Sequence, residues 1–388
     1  MNGRVKQPRC CERPLERERE GVSTRVARAA VKVGVEQTEI QSFPLPEVTF
    51  DTGLLRIEAC GVGGSDPELY RRATRIPAIM GHEIVGTVEE LGAAAAQRWG
   101  VAAGDRVALH EYLPCWHCRW CLQGDFRLCV EADFFTPHDH DPLRYGMSTC
   151  ATPPHLWGGN AEMLFIASNA VIHKVPSGMD ATLATLGIPF GNGFQWAVYD
   201  GGTKPGSNVL VIGAGQQGLG CAFAAKIAGA TTVILAGLKR DRSRLALGLQ
   251  IGADLAIDTE SESLQERVLH ATGGDGVDVV VDTTSDPTGS VVADALAVAA
   301  KGAFLSLNGL RQSIPIGDIK RNYLTVRAPR GHSYRAVEMA LRTLASTSLP
   351  VADVCSHTFG LGEVHQAIRA TAGRDIPDAI HVTVDPWR

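Results

Sequence analysis

The pattern of apolar and polar positions changes character near residue 180. From Ala27 the apolar residues come in short runs, RAAVKVG, LLRIEAC, IVGTVEELG and DRVALHE, punctuated by Gly and Pro. Short runs of this kind, broken by turn-formers, predict β-strands and an all-β first domain. After about residue 180 the segments NVLVIGAG, TTVILAG, VDVVVDTT and AFLSLNG are near-continuous apolar runs, as strands buried on both faces require. Helix-periodic stretches such as FAAKIAG and RSRLALGLQIGA lie between them, so this half predicts βαβ units on a parallel sheet. The tail from Arg335 carries one amphipathic helix, AVEMALRTLAS, and a last strand, AIHVTVD. The fold class is α/β, with a β-rich domain beside a doubly wound parallel sheet. The boundaries read as 1–24 for a disordered extension, 25–180 and 181–332 for the two domains, and 333–388 for a segment returning to the first. Residues 133 to 160, long, polar and rich in His, Pro and Gly, read as a functional or mobile loop.

Composition narrows the classes. At 388 residues, 45% hydrophobic and 20% charged, the chain is long enough for two cored domains of ordinary soluble composition. A net charge of -5 offers no electrostatic reason to bind nucleic acid or an anionic membrane. No stretch approaches the ~20 apolar residues of a membrane span. The first twenty residues mix Arg and Glu without an apolar core, which argues against a targeting signal and for a cytoplasmic location. Four of the ten cysteines are clustered and six scattered, fitting metal binding in a reducing compartment rather than a disulfide framework.

The cluster is PCWHCRWCLQGDFRLC. Cys115, Cys118, Cys121 and Cys129 stand as C-x2-C-x2-C-x7-C, a spacing that wraps four thiolates around one tetrahedral zinc. An iron–sulfur signature is tighter at its fourth cysteine and followed by Pro, whereas Val130 follows here. Four sulfur ligands leave no open position, so this zinc is expected to be structural. The second motif is VLVIGAGQQGLG, where Gly213, Gly215 and Gly218 form G-x-G-x-x-G between a strand and a helix. Such glycines allow the turn, admit a pyrophosphate to the backbone, and let helix pack on strand. Gln217 within this turn and Asn308, the last residue of AFLSLN, complete the expected cofactor contacts. The next strand, TTVILA, ends in Gly237 rather than in an acid, and Lys239 and Arg240 follow. That favours the 2′-phosphate of NADP(H); NAD remains the alternative if Asp241 holds the ribose. The third motif is GHEIVGTVEELG with His82 and Glu83, about twenty residues after ACGVGGSD with Ser65 and Asp66.

Taken together, RAAVKVG, FPLPEV, GHEIVGTVEELG, AGDRV, the four-cysteine lobe, GGNAEM and the cofactor turn resemble the zinc-containing medium-chain alcohol dehydrogenase family, from about Ala27 onward. The resemblance implies a GroES-like catalytic domain, a Rossmann cofactor domain, an active site between them, and a homodimer or homotetramer. It implies catalytic zinc ligands at the positions of Gly63, His82 and Ile188, and only His82 has a donor. Cys60 lies upstream on a strand that turns it another way. Rescue of the site would fall to Asp66, His138, His140 or His155. The expectation is one structural zinc, no catalytic zinc, and Ser65, His82 and Glu83 as the catalytic set. His82 and Glu83 read equally as a proton-transfer pair and as structural remnants. Trp157, Phe190, Phe194 and Trp196 read as a substrate pocket or as core.

The reading is therefore an NAD(P)(H)-dependent oxidoreductase moving hydride between nicotinamide and a small molecule, either C=O/CH-OH or an activated C=C or C=N. The alternatives are an orthodox zinc enzyme with a rebuilt metal site, and a cofactor-binding sensor or structural protein without turnover.

Overall fold

The computed structural model describes residues 25–135, 138, 141–285, 288–308 and 313–388, so the extension 1–24 lies outside the described residues. The first half builds β1 (Val26–Gly34), β2 (Gln37–Pro44), β3 (Gly53–Gly61), β4 (Ala78–Ile79), β5 (Glu83–Leu91), β6 (Arg106–Leu109), β7 (Met163–Ile166) and β8 (Ile172–Lys174). β1 sits between β2 and β4 in one sheet, while β3, β5, β6 and β8 follow one another in a larger one, with β7 also on β3. Leu54, Leu55, Ile57, Ile84 and Leu109 from this sheet are buried together with Ala27, Ala29 and Val31 of β1.

The second half builds β9 (Asn208–Ile212), β10 (Thr232–Gly237), β11 (Leu255–Asp258), β12 (Val277–Asp282), β13 (Ala299–Ser306) and β14 (Thr325–Arg327). They form one six-stranded sheet in the order β11-β10-β9-β12-β13-β14, and every pairing is parallel. Strands covered on both faces explain the near-continuous apolar runs. Val209 and Val211 enter the core on one face, whereas Leu210 and Ile212 enter the core on the other. The order reverses between β9 and β12, and a crevice opens at such a switch point, at the carboxyl ends of the strands. The chain ends with β15 (Cys355–Gly360) and β16 (His381–Asp385), the latter antiparallel to β3 and so in the sheet of the first half. Among the described residues no helix is long and apolar enough to cross a membrane.

The polar stretch after residue 140 is held down. Tyr145 is buried and its hydroxyl donates to the Phe165 carbonyl at 3.0 Å. A Cβ on Gly146 would fall 2.5 Å from the Gly81 carbonyl oxygen and 3.0 Å from His82 Cβ, so the loop lies directly on the residue preceding Glu83. The described part of this loop is a packed wall rather than a mobile flap.

Candidate active site

The cofactor turn is set by its glycines. Gly213, just after β9, has a φ of +105°, a conformation open to glycine. A Cβ on Gly218 would overlap the Gly213 carbonyl oxygen, whereas a Cβ on Gly215 would meet nothing within 4 Å. Gly218 thus seals helix Gln216–Ile227 onto the turn, and Gly215 borders open space at that helix's start, where backbone N–H groups attract phosphate. Gln217 Oε1 is buried with no hydrogen-bond partner among the described residues. Asn308, after β13, donates from Nδ2 to the Thr284 carbonyl at 3.2 Å, at the carboxyl end of β12. Lys239 and Arg240 are exposed beyond β10. Asp241 is turned back into its own chain: its carboxylate accepts the Leu238 N–H at 3.1 Å and pairs with Arg244 at 3.0 Å.

Across the crevice, β3 and β5 pair with Gly61 opposite Glu83. A Cβ on Gly61 would overlap Glu83 Oε2, and one on Gly63 would stand 2.5 Å from His82 Cε1 and Nε2. Both glycines make room for the His-Glu pair. The turn then enters helix Asp66–Arg71, and Asp66 accepts the Gly63 N–H at 2.9 Å through Oδ2. Its Oδ1 lies 3.2 Å from His82 Nδ1. Glu83 Oε1 accepts from Gln216 Nε2 at 3.1 Å, and Gln216 Oε1 lies 2.6 Å from His381 Nδ1. His381 Nε2 in turn is 2.7 Å from Thr185 Oγ1. Two buried polar groups therefore sit on the adjacent residues His82 and Glu83, one reaching back to the turn and the other to the first residue of the cofactor helix.

Ser65, one of the expected catalytic set, is exposed, and the polar contact to His82 comes from its neighbour Asp66. Asp66, Gln216 and His381 are absent from the catalytic and cofactor set read off the sequence. Asp66 had a local signal, as the neighbour of Ser65, but His381 had none.

Burial would by itself lower His82, yet the Asp66 carboxylate, then Glu83 and Glu111, outweigh it and push the imidazole up to about 9. Glu83 is pushed up to about 8, first by burial and then by the charges of Asp66 and Glu111, against the pull of His82. His381 is lowered to about 3 by burial and is neutral. Asp66 thus favours the imidazolium form of His82, while burial favours the protonated form of Glu83.

The metal donors divide sharply. Donor sulfurs of Cys115, Cys118, Cys121 and Cys129 lie within 4.8 Å of one another, with Cys118 and Cys121 at 3.6 Å and Cys115 and Cys121 at 4.0 Å. A tetrahedral zinc with ~2.3 Å bonds spaces its sulfurs about 3.8 Å apart, so the lobe fits the ion. The surroundings of His82 do not fit it. Gly63 has no donor, and Ile188 is buried in a core with Val85 and Phe190. The Cys60 sulfur lies against Gly81 and Gly159 and contacts its neighbour's carbonyl at 3.5 Å. His138 and His155 bond the Asp133 and Cys150 carbonyls at 2.7 and 2.8 Å, and His140 lies outside the described residues. Among the described residues His82 belongs to no group of three donors. The aromatic residues are core: Phe190 and Phe194 pack on Phe223, Trp157 lies among buried β-domain residues, and the Trp196 indole donates to the Gly331 carbonyl.

Comparison with known proteins places the chain in a family. Residues 51–177 match the alcohol dehydrogenase GroES-like domain and residues 218–346 the zinc-binding dehydrogenase domain. The chain is 35% identical over 371 residues to a protein named probable alcohol dehydrogenase of Mycobacterium tuberculosis H37Rv, covering 93% of this chain and 99% of that one. It is 30% identical to erythritol/L-threitol dehydrogenase of Mycolicibacterium smegmatis, covering 89% and 94%. It shares its fold with a zinc-binding dehydrogenase of Sinorhizobium meliloti 1021 solved with NADP, at a TM-score of 0.79 and 24% identity, covering 93% and 100%. The cofactor turn, the His-Glu pair behind it and the four-cysteine lobe thus stand in a chain that belongs to the zinc-type medium-chain alcohol dehydrogenase family, a family of NAD(P)-dependent oxidoreductases.

Proposed function

We propose that this enzyme transfers hydride between NADP(H) and a small carbonyl or alcohol, or an activated C=C or C=N, without a catalytic zinc, with zinc held by the four-cysteine lobe in a structural role. The reading is supported by the lack of a donor side chain at Gly63 and Ile188, beside the buried His82 paired with Asp66. The His82 ring edge occupies the space beside Gly63, and Ile188 adds a buried aliphatic side chain whose burial contributes about 1.5–3 kcal/mol. A bound nicotinamide supplies the hydride. The chain supplies the turn at Gly213–Gly218 that holds the cofactor, and His82 supplies the proton.

In the reducing direction His82 starts as an imidazolium, held so by Asp66. It donates its proton to the oxygen, nitrogen or carbon that gains negative charge as hydride arrives, a role open to a titratable group poised near working pH. Glu83, tied to Gln216, links the proton site to the cofactor helix. An imidazolium stabilises less charge than a metal ion, which suits substrates already activated by conjugation.

The preference for NADP(H) is supported by Lys239 and Arg240 beyond β10 and by Asp241, whose carboxylate is engaged with Leu238 and Arg244. The test combines zinc analysis of the wild type and His82→Gln with NADPH and NADH titrations. Equal zinc content in the two proteins and tighter NADPH binding are expected. Loss of zinc with His82, or tighter NADH binding, defeats the corresponding half of the reading.

A further inference from the structure

A second set of buried donors lies beside the first. His110 and Glu111 directly follow β6, and His332 follows β14, so their meeting joins the β-rich half to the end of the parallel sheet. One donor atom of each lies within 4.8 Å of the other two, and all three side chains are buried, at 0%, 5% and 1% exposure.

What distinguishes this cluster is how its outer atoms are engaged. His332 Nδ1 is 2.9 Å from Asn192 Oδ1, an acceptor, so Nδ1 carries a hydrogen, and in the neutral ring Nε2 keeps a lone pair. Arg144 Nη2 donates to Glu111 Oε1 at 2.7 Å, leaving Oε2. His173 Nδ1 lies 2.6 Å from Glu338 Oε1 and donates to it, so a neutral His173 presents Nε2 as an acceptor. That Nε2 is 2.6 Å from His110 Nε2, which must therefore carry the hydrogen and leave Nδ1 as a lone pair. His110 Nδ1, Glu111 Oε2 and His332 Nε2 are the atoms left over, and all three are buried with no hydrogen-bond partner of good geometry among the described residues.

With His332 neutral, Glu111 Oε2 and the two imidazole nitrogens are acceptors with no hydrogen to share, which is costly in a dry interior; the metal-free alternative is a protonated His332 paired with Glu111. A divalent cation removes that cost. His332 Nε2 and Glu111 Oε2 stand 3.4 Å apart, and a tetrahedral zinc with bonds of ~2.05 Å spaces its ligands about 3.3 Å apart. Two imidazoles and one carboxylate, steadied through their far atoms by a second histidine, an amide oxygen and a guanidinium, form the donor set of a transition-metal site.

We infer that His110 Nδ1, Glu111 Oε2 and His332 Nε2 bind a second divalent transition-metal ion, of the zinc class, tying the β6 loop to the segment after β14. This site shares no ligand with His82 and does not depend on the function proposed above.

The test is metal analysis of the full chain after zinc loading and exhaustive dialysis, followed by cobalt replacement. About two zinc ions per chain are expected in the wild type and in His82→Gln, and about one in His332→Gln and in His110→Gln. The ion missing from those two variants, supplied as cobalt to the wild type, should absorb without the thiolate-to-cobalt charge transfer that marks the four-cysteine lobe. Circular dichroism and NADPH binding of the variants separate loss of metal from loss of fold. One zinc in the wild type, or two retained in both folded variants, overturns the inference and leaves Glu111 and His332 as a metal-free ion pair. A zinc lost from His82→Gln while His332→Gln and His110→Gln keep two also overturns it, and instead places the metal at His82, against the proposed function.

Discussion

The Asp66–His82 contact sets the proton chemistry, and Asp66→Asn tests it. The amide is isosteric and its oxygen can still accept the Gly63 N–H that Oδ2 accepts at 2.9 Å, so the turn should keep its shape. What disappears is the charge 3.2 Å from His82 Nδ1. In the wild type the imidazole is pushed up from 6.5 to about 9, against a burial effect that acts to lower it. At about 1.36 kcal/mol per pH unit, the surrounding carboxylates hold that proton by about 3 kcal/mol beyond its hold in water. With Asp66 neutralised, burial is opposed only by the more weakly acting Glu83 and Glu111, and the value should fall to 6.5 or lower.

The sign follows for both rate and stability. Folding raises the pKa of His82, so its contribution to stability is complete below pH 6.5 and is lost as pH rises through about 9. For reduction by NADPH, wild-type kcat/KM should fall as pH rises through about 9, and in Asp66→Asn the same limb should move below neutrality. At pH 8 the variant should lose at least about tenfold in kcat/KM. Its NADPH dissociation constant should not change. Superimposable pH profiles for the two proteins would refute the assignment of the proton to His82.

Four further outcomes follow from the same geometry. Gly218→Ala places a Cβ on the Gly213 carbonyl, backbone against backbone, and should lower Tm and abolish cofactor binding together. Gly215→Ala meets open space at a negative φ, so it should fold normally while weakening NADPH binding by about tenfold or more, as crowding at the pyrophosphate requires. The double variant Lys239→Ala/Arg240→Ala should weaken NADPH by about tenfold and leave NADH unchanged, read by fluorescence titration. His381, lowered to about 3, favours the folded state above pH 6.5 and withdraws that support as pH falls toward 3. His381→Gln should flatten the acid side of the Tm-against-pH curve.

Local chemistry made part of this protein readable without coordinates. The G-x-G-x-x-G turn is fixed by contacts among Gly213, Gly218 and the adjoining strand and helix, all within a few residues. The spacing of Cys115, Cys118, Cys121 and Cys129 permits one tetrahedral cage because a short chain can fold its own thiols together. Strand texture separated the two halves because burial on one face or on both dictates alternation or its absence. The missing donors at Gly63 and Ile188 were visible as residue types alone.

Only tertiary structure decided what filled the space. Asp66 reaches His82 because β3 and β5 pair in the register that sets Gly61 opposite Glu83, and register is not written in spacing. Gln216 meets Glu83 and His381 through the approach of a cofactor helix, a mid-sheet strand and a C-terminal strand. Arg144, in a stretch that reads as a loose polar loop, reaches Glu111 because Tyr145 and Gly146 beside it are packed down. His110 and His332 looked unrelated in sequence, since neither has a neighbour that announces a ligand. A side chain's reach is a few ångströms in space whatever the separation along the chain. The protonation of His82, and the convergence of lone pairs beside it, were therefore decided when the sheets closed.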